Sequence, residues 1–342
     1  MDRIKAIALF SGGLDSLLAI KLVQEQGIEV EALHLVTAFA SRCDPTGRCR
    51  LVKIVGAAAA LGVSLRIISR DPGLLDLVKS PKQGFGSNMN PCIDCRIEML
   101  KIAAEHMRRA GARFLVTGEV LGQRPMSQRG PTINLIEKET GLRGLVLRPL
   151  SAGLLIPTIP EEKGWIDRGK LPSISGRSRK PQMRLAEHYG ITDYPSPAGG
   201  CLLTDPQFAF RLREMLAATP GLDMNDVQLL KHGRHFRADP GTKVIVGRDE
   251  NDNARIENLC REGDVLVEPE DIAGPTALLR GNATQVNIRT AASLVARYSK
   301  ARTKSSMKAL VRRGADGDVR TVEVAPAQDA VARELMIVKS HS

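Results

Sequence analysis

Aromatic residues are scarce: seven Phe, three Tyr and one Trp make up 3% of 342 residues. Stacking of bases on aromatic rings therefore cannot dominate any nucleic-acid recognition by this chain. No apolar run approaches the roughly 18 residues that a membrane span needs, and Met1-Asp2-Arg3 leads directly into a strand-like segment instead of a signal peptide's apolar region. A cytoplasmic protein with no membrane partner is the expectation. Acidic residues are in deficit, 38 against 49 basic ones, for a net charge of +11. An anionic partner follows from that excess. Internal repeats and low-complexity tracts are lacking. There are six cysteines, and in a reducing compartment they read as metal, redox, catalytic or buried thiols before structural disulfides.

What is present is ordinary globular material, 43% hydrophobic and 25% charged, at a length that predicts two or three domains. The positive charge is unevenly spread. From 283 to 322 there are nine basic residues (Arg289, Arg297, Lys300, Arg302, Lys304, Lys308, Arg312, Arg313, Arg320) against Asp316 and Asp318. Such a cluster attracts polyanions and gains affinity by releasing their counterions, although a merely solvated basic surface has the same composition.

Ile4 to Phe10 reads as a buried strand, Ser11 to Ser16 as a Gly-containing turn, and Leu17 to Val23 as a helix closed by Gly27. Val30–Val36, Leu51–Leu61 and Leu65–Ile68 repeat the strand, helix, strand alternation. A helix at Ile93–Ala110 and strands at Phe114–Thr117 and Leu145–Leu147 extend it. Alternation of this kind predicts an α/β domain built on a parallel sheet. The stretch from Ser151 to Pro206 is rich in Pro, Gly and Ser and reads as an irregular connector holding one basic helix, Arg177–Tyr189. After Gly221 short strand-like runs at Val227–Leu230, Lys243–Val246 and Val265–Val267 predict a separate α+β domain. The expected domains are 1–220 and 221–342.

Ser11-Gly12-Gly13-Leu14-Asp15-Ser16 lies between a first strand and a first helix, where backbone N–H groups and the helix dipole favour an anion. The glycines admit a phosphate close to the backbone, the two serines donate hydrogen bonds, and Asp15 beside phosphates makes sense mainly with Mg²⁺. Neither the Walker A spacing nor G-x-G-x-x-G fits. An S-G-G-x-D-S loop in this place resembles the PP-loop ATP pyrophosphatases. The resemblance implies cleavage of ATP to AMP and pyrophosphate, with Ser11, Gly12, Gly13, Asp15 and Ser16 at the nucleotide. Gly118, in Thr117-Gly118-Glu119 after a predicted strand, and the following Gln123–Gln128 segment are further candidates for holding nucleotide or uridine.

Asn90-Pro91-Cys92-Ile93-Asp94-Cys95 sets two cysteines at C-x-x-C spacing on a helix start, where the dipole favours thiolate. Cys201 follows Pro197-Ala198-Gly199-Gly200. Three such thiols suit an iron–sulfur cluster with one open iron, a two-thiol persulfide relay, or zinc with a fourth ligand. Both segments resemble the PP-loop tRNA thiolases, including their iron–sulfur subgroup. That likeness implies Cys92, Cys95 and Cys201 as ligands of a [4Fe-4S] cluster and as catalytic residues together with Asp15. Cys43 and Cys49, spaced C-x₅-C, match no common metal motif, and Cys260 reads as core. Arg177, Arg179 and Lys180 either grip RNA phosphate or face solvent.

Lys231-His232-Gly233-Arg234-His235-Phe236-Arg237 and Lys243–Arg248 resemble the RNA-binding module of NFACT proteins. The module implies Arg and His donors for phosphate, with Phe236 as the nearby aromatic, while satisfied histidines near a turn are the plain alternative. Together these motifs predict an ATP-dependent tRNA thiolase: a uridine carbonyl is adenylated and its oxygen replaced by sulfur from a persulfide or sulfide donor. tRNA and that donor are the expected partners, and a homodimer is compatible with the reading. A ligase or deazapurine synthase acting on a small molecule needs no basic C-terminal region. A non-catalytic RNA-binding protein needs neither the intact loop nor the cysteines.

Overall fold

A computed structural model describes residues 3–40, 50–194, 201–219, 221–314 and 317–339. The chain divides into two compact units, Met1–Leu202 and Leu203–Ser342.

In the first unit the strands β1 (Lys5–Leu9), β2 (Glu29–Val36), β3 (Ser64–Ser69), β4 (Phe114–Thr117) and β5 (Val146–Leu147) form a parallel sheet in the order β3-β2-β1-β4-β5. Side chains alternate across a strand, so the central one must be apolar on both faces. Ala6 and Ala8 of β1 enter one core with Leu14, Leu17 and Leu18 of α1 (Leu14–Gln24), whereas Ile7 and Leu9 enter the other. Helices α2 (Arg50–Ala60) and α3 (Asp71–Lys79) flank β3 in sequence. On the second face lie α4 (Cys92–Arg109) and α5 (Gly130–Thr140), which bring Ile97, Leu100, Ala103 and Ile136 against Ile7 and Leu115. A short helix, α6 (Ile159–Glu162), and α7 (Lys180–His188) complete the unit. The connector is thus more ordered than its Pro, Gly and Ser content predicts: Ile166, Leu171 and Ile174 are buried in the first core.

The strand order reverses at β1, whose neighbours β2 and β4 run off in opposite directions along the sheet. A crevice for ligand forms outside the carboxyl ends of strands at such a point. Here it is flanked by the loop after β1, residues 10–13, and the loop after β4, residues 118–129.

The second unit has α8 (Pro206–Ala218) and α9 (Met224–Leu229), then β6 (Arg234–Asp239), β7 (Thr242–Val246), α10 (Glu250–Asn258), β8 (Val265–Pro269) and β9 (Ala277–Arg280). It ends with α11 (Gln285–Arg297), β10 (Met307–Arg313), β11 (Val319–Val324) and α12 (Asp329–Leu335). All strand pairs are antiparallel, in the order β11-β10-β8-β9-β7-β6. Ile288, Ala291 and Val295 of α11 cover one face through Val244, Val246, Val265 and Val267. Leu229 and Ile256 cover the other through Ile245, Leu266 and Leu278.

Two expectations change. Val227–Leu230 is not a strand. Asp223 caps α9 by accepting from Asp226 N at 3.0 Å, and Asp226 returns the bond to Asp223 N at 3.1 Å, a reciprocal cap that fixes a helix whatever the apolar run suggests. The units also divide ahead of the expected boundary at 220. Helix α8, which the sequence reading left in the first domain, is tied to β6, because Glu214 accepts from Arg237 Nε at 2.7 Å.

Candidate nucleotide and sulfur site

The loop after β1 is shaped by its own hydroxyls. Ser16 Oγ donates to Gly13 O at 2.8 Å, Gly13 N donates to Ser11 Oγ at 3.3 Å, and the two serine oxygens lie 3.2 Å apart. Gly12 takes φ +73°, and a Cβ there would meet Ile54 Cγ1 at 2.8 Å, so both conformation and space demand glycine. No side chain caps α1, whose first turn carries Asp15. The Asp15 carboxylate accepts from Gln123 Nε2 at 3.1 Å through Oδ2, while Oδ1 is buried with no hydrogen-bond partner. An unpaired buried carboxylate oxygen is costly, and Mg²⁺ is a hard cation that takes such oxygens. Gly118 belongs here too: a Cβ would lie 2.6 Å from both Asp15 C and Ser16 N. Its place in the site is therefore backbone contact with the phosphate loop.

Glu119, one residue on, does not face a ligand. It is buried, accepting from Arg96 Nε at 2.7 Å, Arg148 Nε at 2.9 Å and Thr117 Oγ1 at 3.2 Å. Burial alone would raise its pKa, but the two guanidinium groups prevail and hold it down at about 2. Arg96 sits on α4 immediately after Cys95, so this ion pair fastens the start of the cysteine helix to the loop after β4. The same loop meets the segment before α4, where a Cβ on Gly86 would strike Met126 Sδ at 1.9 Å.

The cysteines have distinct surroundings. At the first position of α4, the Cys92 thiol is pushed up chiefly by burial, then by Cys95, against opposing effects of Arg124, Asn90 and Arg96. Desolvation thus outweighs the helix dipole, contrary to the thiolate expected from position alone. Cys95 Sγ accepts from Arg70 Nη1 at 3.3 Å, and its carbonyl accepts from Arg70 Nη2 at 3.2 Å. Arg70 is 4% exposed and also pairs with Glu98. Cys201 forms an antiparallel bridge with Ala40, and Leu202 N donates to Phe39 O at 2.8 Å, which brings the third cysteine back to the chain just beyond β2. The Gly-Gly turn before it, with Cys43 and Cys49, lies outside the described residues. In kind the three thiols suit an iron–sulfur cluster. Among the described residues no three Cys, His, Asp or Glu side chains are gathered as a metal group. Arg70 and Arg96 escaped the sequence reading; nothing local marks them, since each acts on a partner distant in sequence.

Residues 3–153 match the family model "Thiamine biosynthesis protein (ThiI)", and residues 233–336 match "NFACT protein RNA binding domain". The chain carries a ThiI-family domain followed by an NFACT-type domain. A tRNA-specific 2-thiouridylase MnmA of Nitratidesulfovibrio vulgaris is 32% identical over 133 residues, 37% of this chain and 38% of that protein. A probable tRNA sulfurtransferase of Geobacillus thermodenitrificans is 32% identical over 149 residues, 43% of this chain and 34% of that protein. The chain thus spans well under half the length of these two relatives. Among solved structures, a 4-thiouridine synthetase in complex with RNA and ATP aligns over 55% of this chain and 51% of that one, at 22% identity and a TM-score of 0.35, too loose to add to the argument. The parallel sheet of the first unit and the antiparallel sheet of the second agree with the fold classes expected from the sequence. Among the described residues no helix is long and apolar enough to cross a membrane.

The NFACT-type domain corrects the expected RNA donors. Phe236 is fully buried in the core beside Tyr298 and cannot stack on a base. His235 is 1% exposed and stays neutral, its pKa driven well down by burial and by the cations Lys243 and Arg211. His232 bonds Asp252 at 3.2 Å. The plain reading of these histidines, as structural groups, applies. The exposed cations of this unit include Arg289, Lys300, Arg302, Lys304, Lys308, Arg313 and Arg320. In the first unit Arg177 and Lys180 are exposed, Arg179 half-buried. Cys260 is half-buried at the edge of the smaller core.

Lys243 gives a stability prediction. Its amine is buried 3.6 Å from Glu214 Oε2, outside hydrogen-bond geometry, and burial lowers its pKa to about 8. The folded pKa lies below the unfolded 10.5, so the unfolded state binds the extra proton and the residue opposes folding at pH 7. Lys243→Met should stabilise the second unit by roughly 1–3 kcal/mol at pH 7, since Glu214 keeps Arg237. Urea midpoints measured from pH 7 to 10.5 should show the gain shrinking above pH 8.

Proposed function

We propose that this chain is an ATP-dependent tRNA sulfurtransferase acting in the cytoplasm, with the ThiI-family domain as catalyst and the NFACT-type domain as RNA holder. The observation that carries the reading is the loop after β4, which touches the phosphate loop on one side, through Gln123 and Gly118, and the cysteine helix on the other, through Glu119. A nucleotide site and a sulfur site joined by one loop suit a reaction in two steps. In the first, a uridine carbonyl oxygen attacks the α-phosphorus of ATP and pyrophosphate leaves along the Ser11–Ser16 loop, where Asp15 would hold Mg²⁺ to neutralise the phosphate charge. In the second, sulfur presented at the thiols attacks the same ring carbon, and AMP departs with the former carbonyl oxygen. ATP, Mg²⁺, tRNA and a sulfide or persulfide donor are the reactants and cofactors this requires.

The chemistry of the donor set supports a [4Fe-4S] cluster that Cys92, Cys95 and Cys201 would hold. A persulfide relay using Cys201 and Cys92 is the second reading: the outer sulfur of a Cys201 persulfide would attack the carbon as AMP leaves, and Cys92 would then take the Cys201 sulfur as a disulfide, freeing the thiouridine and leaving that disulfide for an external thiol to reduce. Salt dependence tests the RNA half, because phosphate contacts release counterions and tRNA affinity should fall steeply as salt rises. The decisive experiment is nucleoside mass spectrometry of tRNA from cells lacking the protein. A missing thiouridine, restored by the wild-type gene but not by Asp15→Ala, is the expected result. Unaltered nucleosides, or release of ADP in place of AMP by the purified protein, would exclude the assignment.

A further inference from the structure

We infer that Gln123 is a positioning residue for the nucleotide site, holding one lobe of the Asp15 carboxylate so that the other is left for a nucleotide-bound divalent cation. The inference rests on the adenylating reading of the first unit. Three observations support it. Gln123 Nε2 donates to Asp15 Oδ2 at 3.1 Å across 108 residues of sequence, while Asp15 Oδ1 stays buried and unpartnered. A carboxylate flanked by two donors would be quenched; one with a single amide donor keeps an open lobe and loses its rotational freedom. The loop that carries Gln123 begins in backbone contact with the same aspartate, since a Cβ on Gly118 would lie 2.6 Å from Asp15 C.

The loop is also held rigidly enough to aim a side chain. Leu121 N donates to Ser151 Oγ at 2.9 Å, Ser151 Oγ donates in turn to Ile174 O at 2.6 Å, and Gly176 N donates to Leu121 O at 2.8 Å. Gly122, at φ +76°, turns the chain and donates to Gln128 O at 2.7 Å; Arg124 N donates to Gln128 Oε1 at 3.0 Å. Gln123 thus sits between two anchored points, and its amide meets only the position that a metal-side carboxylate would occupy. A residue that orients a metal ligand through its second oxygen commonly governs affinity and rate by roughly 10–100-fold.

The test uses the full chain with Gln123→Leu and with Gln123→Glu, which keeps the shape but replaces the donor with a repelling oxygen. Binding of Mn²⁺ in the presence of a non-hydrolysable ATP analogue, followed by electron paramagnetic resonance, should weaken roughly 10–100-fold in both. RNA-dependent AMP formation should lose kcat by a similar factor with KM for ATP nearly unchanged. Wild-type Mn²⁺ affinity and kcat in folded variants would overturn the inference, as would a fall in unfolding midpoint with neither of those changed. Failure of the wild type to form AMP would remove the adenylating reading instead, and the Mn²⁺ measurement would still decide the role of Gln123.

Discussion

Glu119→Gln should destabilise the first unit by about 3–5 kcal/mol, because it leaves the buried Arg148 and the half-buried Arg96 facing a neutral amide. Glutamine has nearly the same shape, so no cavity is created and the loss is electrostatic. The wild-type carboxylate is 2% exposed and is bonded to Arg96, Arg148 and Thr117. Its pKa of about 2 lies below the unfolded 4.5, so its contribution is complete above about pH 4.5 and disappears as pH falls toward 2. The variant should therefore have a lower urea midpoint at pH 7 and a flatter acid-unfolding profile than wild type. A change under about 1 kcal/mol, typical of a screened surface pair, would show that the ion pair is not structural. Since Arg96 follows Cys95 directly, the variant should also loosen the start of α4 and slow sulfur transfer more than adenylation.

That network marks where the sequence was legible and where it was not. The parallel sheet could be read almost residue by residue, because β1 and β4 are apolar runs buried on both faces, and β2 keeps Val30, Ala32, Leu33 and Leu35 buried between its polar residues. The turn from Ser11 to Ser16 was legible because its motif is local, with Ser11, Gly13 and Ser16 bonding one another, although Ile54, Gly118 and Gln123 also close on it from far along the chain. Helix α8 falls where a short helical segment was expected after 205, and it opens on the helix-start signal Asp205-Pro206, with Asp205 accepting from Phe208 N at 2.7 Å. The Pro, Gly and Ser content of the connector before it was given too much weight. Strands β10 and β11 were hidden by their charge. Met307, Ala309 and Val311 alternate inward, but basic residues between them had drawn the reading toward surface composition alone. What could not be read at all is the pairing of Gln123 with Asp15, of Arg70 with Cys95, and of Glu119 with two arginines. Each depends on tertiary approach, which no spacing records.

The last expected result concerns the sulfur route, and Arg70 is the residue that argues it. A relay between Cys92 and Cys201 gives Cys95 no task, so Cys95→Ala should then be nearly harmless. Yet the structure commits a guanidinium, 3% exposed in its side chain, to Cys95 Sγ and Cys95 O, and leaves its Nε without a partner. Burying that cation is costly, and the charge of Arg70 is stabilised in part by Cys95 itself, its pKa raised by Cys95 and Glu98 against the effect of burial. Two bonds from a buried guanidinium fix the position of Cys95 beside Cys92 on the same helix turn, a placement that a cluster uses and a two-thiol relay does not. Cys92→Ala, Cys95→Ala and Cys201→Ala should therefore each abolish thiolation while RNA-dependent AMP formation persists. Protein purified without oxygen should contain iron and acid-labile sulfide, about four of each per chain for a [4Fe-4S] cluster, and lose both in all three variants. Full thiolation by iron-free protein, with Cys95→Ala active, would overturn the cluster and leave the two-thiol relay.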